Sequence, residues 1–299
     1  MHEATADEPF HRLADLTDRS VLEMAGLIAP LWKSDAISGR RAEVLATLST
    51  TCLSTTGSAL LLIEAGRVWD ASILQRSVLE GTVRFIYLLH GDGGFDERLD
   101  EFSFTLEDIA WFRLTQKVRS FLQVLGDKKL DDGSQQTLET MQLPDAEYER
   151  ISQKYPKRDR RQLEDKWSFG KLLDYLASKD ILPTQAAADL QLRYLKSSQS
   201  IHGNPLGLAS FYERAHRPEP NRSWAAYAQA AETTRVLKDL TLYRLYSAYR
   251  FLQLDMKVLL SAYEDPEFDL LFSKIMREHH GLEYGAEATE SDLRPRDVP

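Results

Sequence analysis

Residues 69–90 read Trp-Asp-Ala-Ser-Ile-Leu-Gln-Arg-Ser-Val-Leu-Glu-Gly-Thr-Val-Arg-Phe-Ile-Tyr-Leu-Leu-His. Leu74, Val78, Leu79, Phe85, Ile86, Leu88 and Leu89 fall around most of a helical circumference. A helix that is apolar nearly all round belongs inside a bundle. Asp70 can cap its start, and Gly91-Asp92-Gly93-Gly94 ends it. This stretch decides the fold class, because no alternating strand pattern competes with it elsewhere in the chain.

Helical periodicity continues on both sides. The spacing predicts helices over 10–33, 39–65 and 95–125, then a polar stretch, 127–166, with one short helix near 145–154. Further helices are predicted over 168–178, from Thr184 to about His202, from Ser223 to Tyr263, and over 267–280. The chain therefore reads as an all-α, multi-helix bundle of roughly eight to ten helices. The 69–90 helix sits at its centre, and a long C-terminal helix spans 224–263. Residues 10–280 form one domain, with disordered acidic ends at 1–9 and 281–299.

Charge follows the same division. The chain of 299 residues has 37 basic and 46 acidic side chains, a net of −9. Residues 1–9 carry −3 and residues 264–299 carry −6, so the helical body is neutral. Bulk charge excludes nucleic-acid binding by electrostatics alone. One cysteine, Cys52, allows no internal disulfide and fits a reducing cytosol. It reads as a packing residue. No run of roughly 20 apolar residues suggests a membrane span, so the expected location is cytoplasmic.

Arg76, Glu80 and Arg84 interrupt the apolar helix at i, i+4 and i+8, one narrow charged stripe. Buried charges are costly unless paired. The stripe is therefore either a self-satisfying ion network or the wall of a polar cleft. In the second case its spare guanidinium donors meet a phosphate or carboxylate. A second polar cluster, Arg193 to His202, includes Tyr194 and Ser198. His202 precedes Gly203 and reads as a helix C-cap. Packed against Glu80, it would form an acid–base pair beside two arginines. The basic run Lys154-Tyr-Pro-Lys-Arg-Asp-Arg-Arg161 reads as a loop. Lys154, Arg158, Arg160 and Arg161 could contact RNA phosphates there, with Tyr155 and Trp167 for stacking. The chain has no phosphate-binding glycine loop, dinucleotide fingerprint or zinc spacing. No cofactor or metal is expected. The two Glu-x-x-His pairs, at 8–11 and 213–216, lack the further glutamates a di-iron bundle needs.

Arg76-Ser77-x-x-Glu80, then Lys166-Trp167, then Ser198-x-x-x-His202-Gly203 resembles a bacterial all-helical family known only as domain-of-unknown-function family 5677, over roughly residues 40–215. That family in turn looks distantly similar to HEPN proteins, helical dimers found among toxins and phage-defence systems. Many of those are metal-independent ribonucleases with an Arg-x(4–6)-His motif. Arg84 to His90 fits the spacing, with Phe85 where active members usually carry a polar residue. The resemblance implies action on RNA or a phosphate-bearing small molecule, a homo-oligomer and a protein partner encoded in the same operon. The alternative is a non-catalytic dimerisation or regulatory module in which the stripe is structural.

Overall fold

A computed structural model describes residues 8–126, 130–201, 205, 209, 212–213 and 216–284. Every element among them is helical: α1 (Glu8–Gly26), α2 (Ala29–Trp32), α3 (Arg40–Glu64), α4 (Val68–His90), α5 (Phe95–Asp100), a π-helical turn (Glu101–Thr105), α6 (Leu106–Leu125), α7 (Asp132–Thr140), α8 (Asp145–Lys154), α9 (Lys157–Lys166), α10 (Phe169–Ser178), α11 (Thr184–Ile201), α12 (Asn221–Leu252), α13 (Lys257–Tyr263) and α14 (Pro266–Tyr284). The fold is all-α. Eleven of these helices have nine residues or more, above the expected eight to ten.

The chain groups into two compact units: residues up to His90 with those from Leu173 onward, and Gly91–Leu172. In the first, α4 packs on α3, α11 and α12, and α12 also packs on α1, α3 and α14. The centre is shared. Thirteen residues of α4 and sixteen of α12 are buried, so the expectation of one central helix gives way to a pair. Leu13, Leu16, Val21 and Met24 recur at helical intervals on α1 and close one side. The buried face of α3 is small, with Ser49, Cys52, Thr56 and Ala59 between Leu45 and Ile63, which lets α4 come close. One helix among the described residues, α3, is long and apolar enough to cross a membrane, with a mean hydropathy of 1.3 over its best window. Its apolar face serves the packing against α4 and α1.

Several boundaries differ from expectation for local reasons. The predicted 10–33 helix stops at Gly26 and restarts at Ala29, with Pro30 in the first turn of α2. The predicted 224–263 helix is two. Gln253 adopts a left-handed conformation, φ 57°, and the Leu254 amide turns back to the Tyr249 carbonyl, a C-cap without glycine. Glu8 and Pro9 belong to α1, and 281–284 to α14; the rest of the two acidic ends lies outside the described residues.

In the second unit, α5, the π turn and α6 run on as one helix, and α8 and α9 pack on α6. The polar stretch holds three helices rather than one. The basic run 154–161, expected as a loop, is divided between two helices: Lys154 ends α8 and residues 157–161 open α9. Helix α9 forms because Pro156 precedes a run of strong helix formers, Lys, Arg, Gln, Leu and Glu. Arg98 is buried and donates to the carbonyls of Gly91 (2.7 Å) and Gly93 (2.6 Å), tying down the glycine turn. Glu101 accepts from Lys166 Nζ and, at 3.0 Å, from Trp167 Nε1.

Candidate functional site

The charged stripe of α4 faces α11. Spacing of i, i+4 on one helix meets i, i+4 on the other, so Arg76 reaches both Tyr194 and Ser198. Arg76 Nε donates to Glu80 Oε1 at 3.0 Å, Nη1 to Ser198 Oγ at 3.2 Å and Nη2 to the Tyr194 hydroxyl at 2.9 Å. Its guanidinium also lies 4.6 Å from the centre of the Tyr194 ring. Arg84 Nη2 reaches the other Glu80 oxygen at 3.3 Å. The carboxylate is thus shared between two arginines, one per oxygen.

Exposure separates the three charges. Arg76 is 18% exposed and Glu80 24%, while Arg84 is 36% exposed. Arg76 is held on three sides by its own chain. Arg84 makes one hydrogen bond, which leaves four of its five N–H donors without an acceptor among the described residues. The stripe is therefore neither sealed nor fully solvated. Its free hydrogen-bonding capacity is cationic and sits at the Arg84 end.

The sequence places Arg76, Glu80 and Arg84 on one stripe and Ser198 in a second polar cluster, and the structure brings the four together. His202 lies outside the described residues. Arg84 and His90 diverge: His90 Nε2 pairs with the Ser247 carbonyl of α12 at 3.0 Å, and its ring meets Phe251 edge-on. The six-residue spacing puts the two side chains about 120° apart round the helix, at 100° per residue.

Lys154, Arg158, Arg160 and Arg161 belong to the second unit. Lys154 Nζ lies 3.8 Å from Asp108 and over the Tyr155 ring. Arg160 donates to the Tyr155 carbonyl and stacks on Phe112 at 4.1 Å. Arg158 and Arg161 are exposed.

Sequence reasoning missed two internal groups on α12. Arg244 is 2% exposed, and its guanidinium donates to Thr82 Oγ1 at 2.7 Å and Thr241 Oγ1 at 3.1 Å, with no carboxylate in contact among the described residues. Burial lowers its pKa, while guanidinium basicity keeps it charged. Burial also pushes the neighbouring Cys52 thiol up, against the pull of Arg244. The second group joins Arg235 to Asp239 and Asp269, Tyr263 to Asp239, and seats the Lys238 ammonium between the rings of Tyr263 and Phe268. Arg235, Lys238 and Asp239 stand at i, i+3 and i+4 between leucines, which was the available signal.

The arrangement defines an all-helical protein with a half-buried arginine–glutamate–arginine cluster between two helices. The model of the Family of unknown function (DUF5677) matches residues 42–220, more than half of the chain, and the chain belongs to that family. No curated protein and no solved structure gives a match.

Proposed function

We propose that this chain is a HEPN-like bacterial protein that acts without metal on RNA or another phosphate-bearing ligand, as a phosphodiester-cleaving enzyme of a toxin or phage-defence system. The observation that carries this reading is Arg84: a guanidinium with four of its five donors without an acceptor among the described residues, beside a carboxylate 24% exposed. Such a group can hold a phosphate bidentately. Arg76, fixed by Tyr194 and Ser198, sets the direction of Glu80. With RNA bound, Glu80 would take the proton of the attacking 2′-hydroxyl. The 2′-oxygen would bond to phosphorus, the bond to the 5′-oxygen would break, and His202 would protonate that leaving oxygen.

A second reading has one observation in its favour. Every nitrogen of the Arg76 guanidinium is bonded within the chain, as in a structural network. On that reading the protein is a helical dimerisation or regulatory module, a homo-oligomer or the partner of an operon-encoded protein.

Incubation with labelled total RNA separates the two. The wild type is expected to degrade it, and Glu80→Gln and His202→Ala to lose most of that activity. Degradation untouched by either change would remove the site. Intact RNA, with and without divalent metal, would favour the module.

A further inference from the structure

On α6 the acids stand in the first turn, at Glu107 and Asp108, and none follows through Leu125. Arg113, Lys117 and Arg119 come after them. Together with Gln116, Gln123 and Tyr148 they line an open groove of about 630 Å³, in which Arg113 is paired with Glu164 and Arg119 with Asp145. The surrounding unit is not basic: residues 91–172 hold 14 Lys and Arg against 17 Asp and Glu. With those two pairs counted, the groove keeps one net positive charge, at Lys117, within a unit that is itself acidic.

A stack of four side chains runs to the edge of this groove. Arg160 lies 4.1 Å from the Phe112 ring centre. Phe112 and Tyr148 stack at 4.5 Å and an interplanar angle of 10°. Arg119 then covers the outer face of Tyr148 at 4.3 Å. The last layer is a planar guanidinium, half-buried, tethered to Asp145 through one terminal nitrogen. A guanidinium plane held this way is a surface on which a nucleobase can stack. Lys117 is exposed, makes no ion pair among the described residues, and stands within a turn of Arg113 and Arg119.

We propose that this groove binds single-stranded nucleic acid, one base extending the stack on Arg119 and the adjoining phosphate lying against Lys117. Two chemistries are needed together, a cation for the backbone and a flat surface for a base, and the groove offers both. The α4 cluster is not involved: this site concerns docking and is read out by binding, so each can fail without the other.

The test uses the full chain and a fluorescent 2′-O-methyl RNA of about 12 nucleotides, a length one such groove usually spans and a sugar that cannot be cleaved through its 2′-oxygen. An abasic oligomer of equal length is the comparison. Anisotropy is expected to show the RNA bound about tenfold more tightly than the abasic chain, in line with one stacked base. Arg119→Lys keeps the charge and loses the plane, and should remove that difference. Lys117→Glu should weaken both probes and flatten the salt dependence. Circular dichroism checks that these surface variants fold. No binding by the folded wild type, equal binding of the two probes, or affinities indifferent to both substitutions would overturn the proposal.

Discussion

Gly81 of α4 lies directly against the Cys52 sulfur of α3: a β-carbon added to the glycine would stand 2.5 Å from it. Glycine inside a helix costs about 1 kcal/mol relative to alanine, so its place in α4 follows from this approach. Gly81→Ala is expected to lose about 1–3 kcal/mol through overpacking, despite the better helix propensity. Cys52→Ala removes the sulfur and should restore much of the loss. A double-mutant cycle by urea unfolding measures the coupling. Strict additivity would contradict the contact.

Arg76 and Arg84 should separate stability from ligand binding. Arg76→Ala strips the half-buried Glu80, Tyr194 and Ser198 of a shared donor, and a loss of about 1–3 kcal/mol is expected. Arg84→Ala removes one long, partly exposed contact and should stay within about 0.5 kcal/mol. Under the enzyme reading the order reverses for RNA, with Arg84→Ala losing most activity while folding normally. Thermal melts and degradation assays on the two variants give both orders.

The carboxylate-free burial of Arg244 leads to a less usual expectation. A buried charge without an opposite partner is stabilised poorly, and an apolar side chain of similar volume often does as well or better. Thr241 keeps a hydrogen bond to the Leu237 carbonyl if the guanidinium is removed. Arg244→Met should therefore match or exceed the wild-type melting temperature. A drop of several degrees would show that the guanidinium is held more favourably than its two hydroxyl contacts explain.

Tyr263 donates to Asp239, and burial followed by the Asp239 charge pushes its pKa well above the ordinary tyrosine value. Burial pushes Tyr243 the same way. Once the pH exceeds about 10, tyrosines of the unfolded chain lose their protons while these two keep theirs. Unfolding then releases protons, so stability falls as pH rises. It is fully present below the unfolded value. Tyr263→Phe should cost about 1–2 kcal/mol at neutral pH, because Asp239 loses its donor. The same variant should show a shallower alkaline decline, measured by unfolding at a series of pH values.

The α4 stripe was legible because its spacing is itself helical geometry: once 69–90 is a helix, Arg76, Glu80 and Arg84 must share a face. Ser198 was legible as part of a polar patch, but not that Tyr194 beside it would carry the aromatic contact to Arg76. The break at Gln253 was hidden, since Phe251-Leu-Gln-Leu-Asp-Met has neither glycine nor proline to announce it. Helices α7 and α9 were hidden by polarity, because a helix with little buried face leaves almost no apolar period. Arg244 and the Phe112–Tyr148–Arg119 stack depend on which helices become neighbours, and local pattern does not carry that information.

The π turn at Glu101–Thr105 sets a rotational phase. It lodges an extra residue in an otherwise continuous helix, and each residue turns a helix by about 100°. Glu101, clamped by Lys166 and Trp167, opens the insertion, and Arg113, Lys117 and Arg119 follow beyond it. Excising a single residue would regularise the hydrogen-bond ladder and turn the cationic side chains of α6 by about 100° relative to Glu101. The irregularity works as a keyed joint: regularity and aim are alternatives here, and this chain has kept the aim.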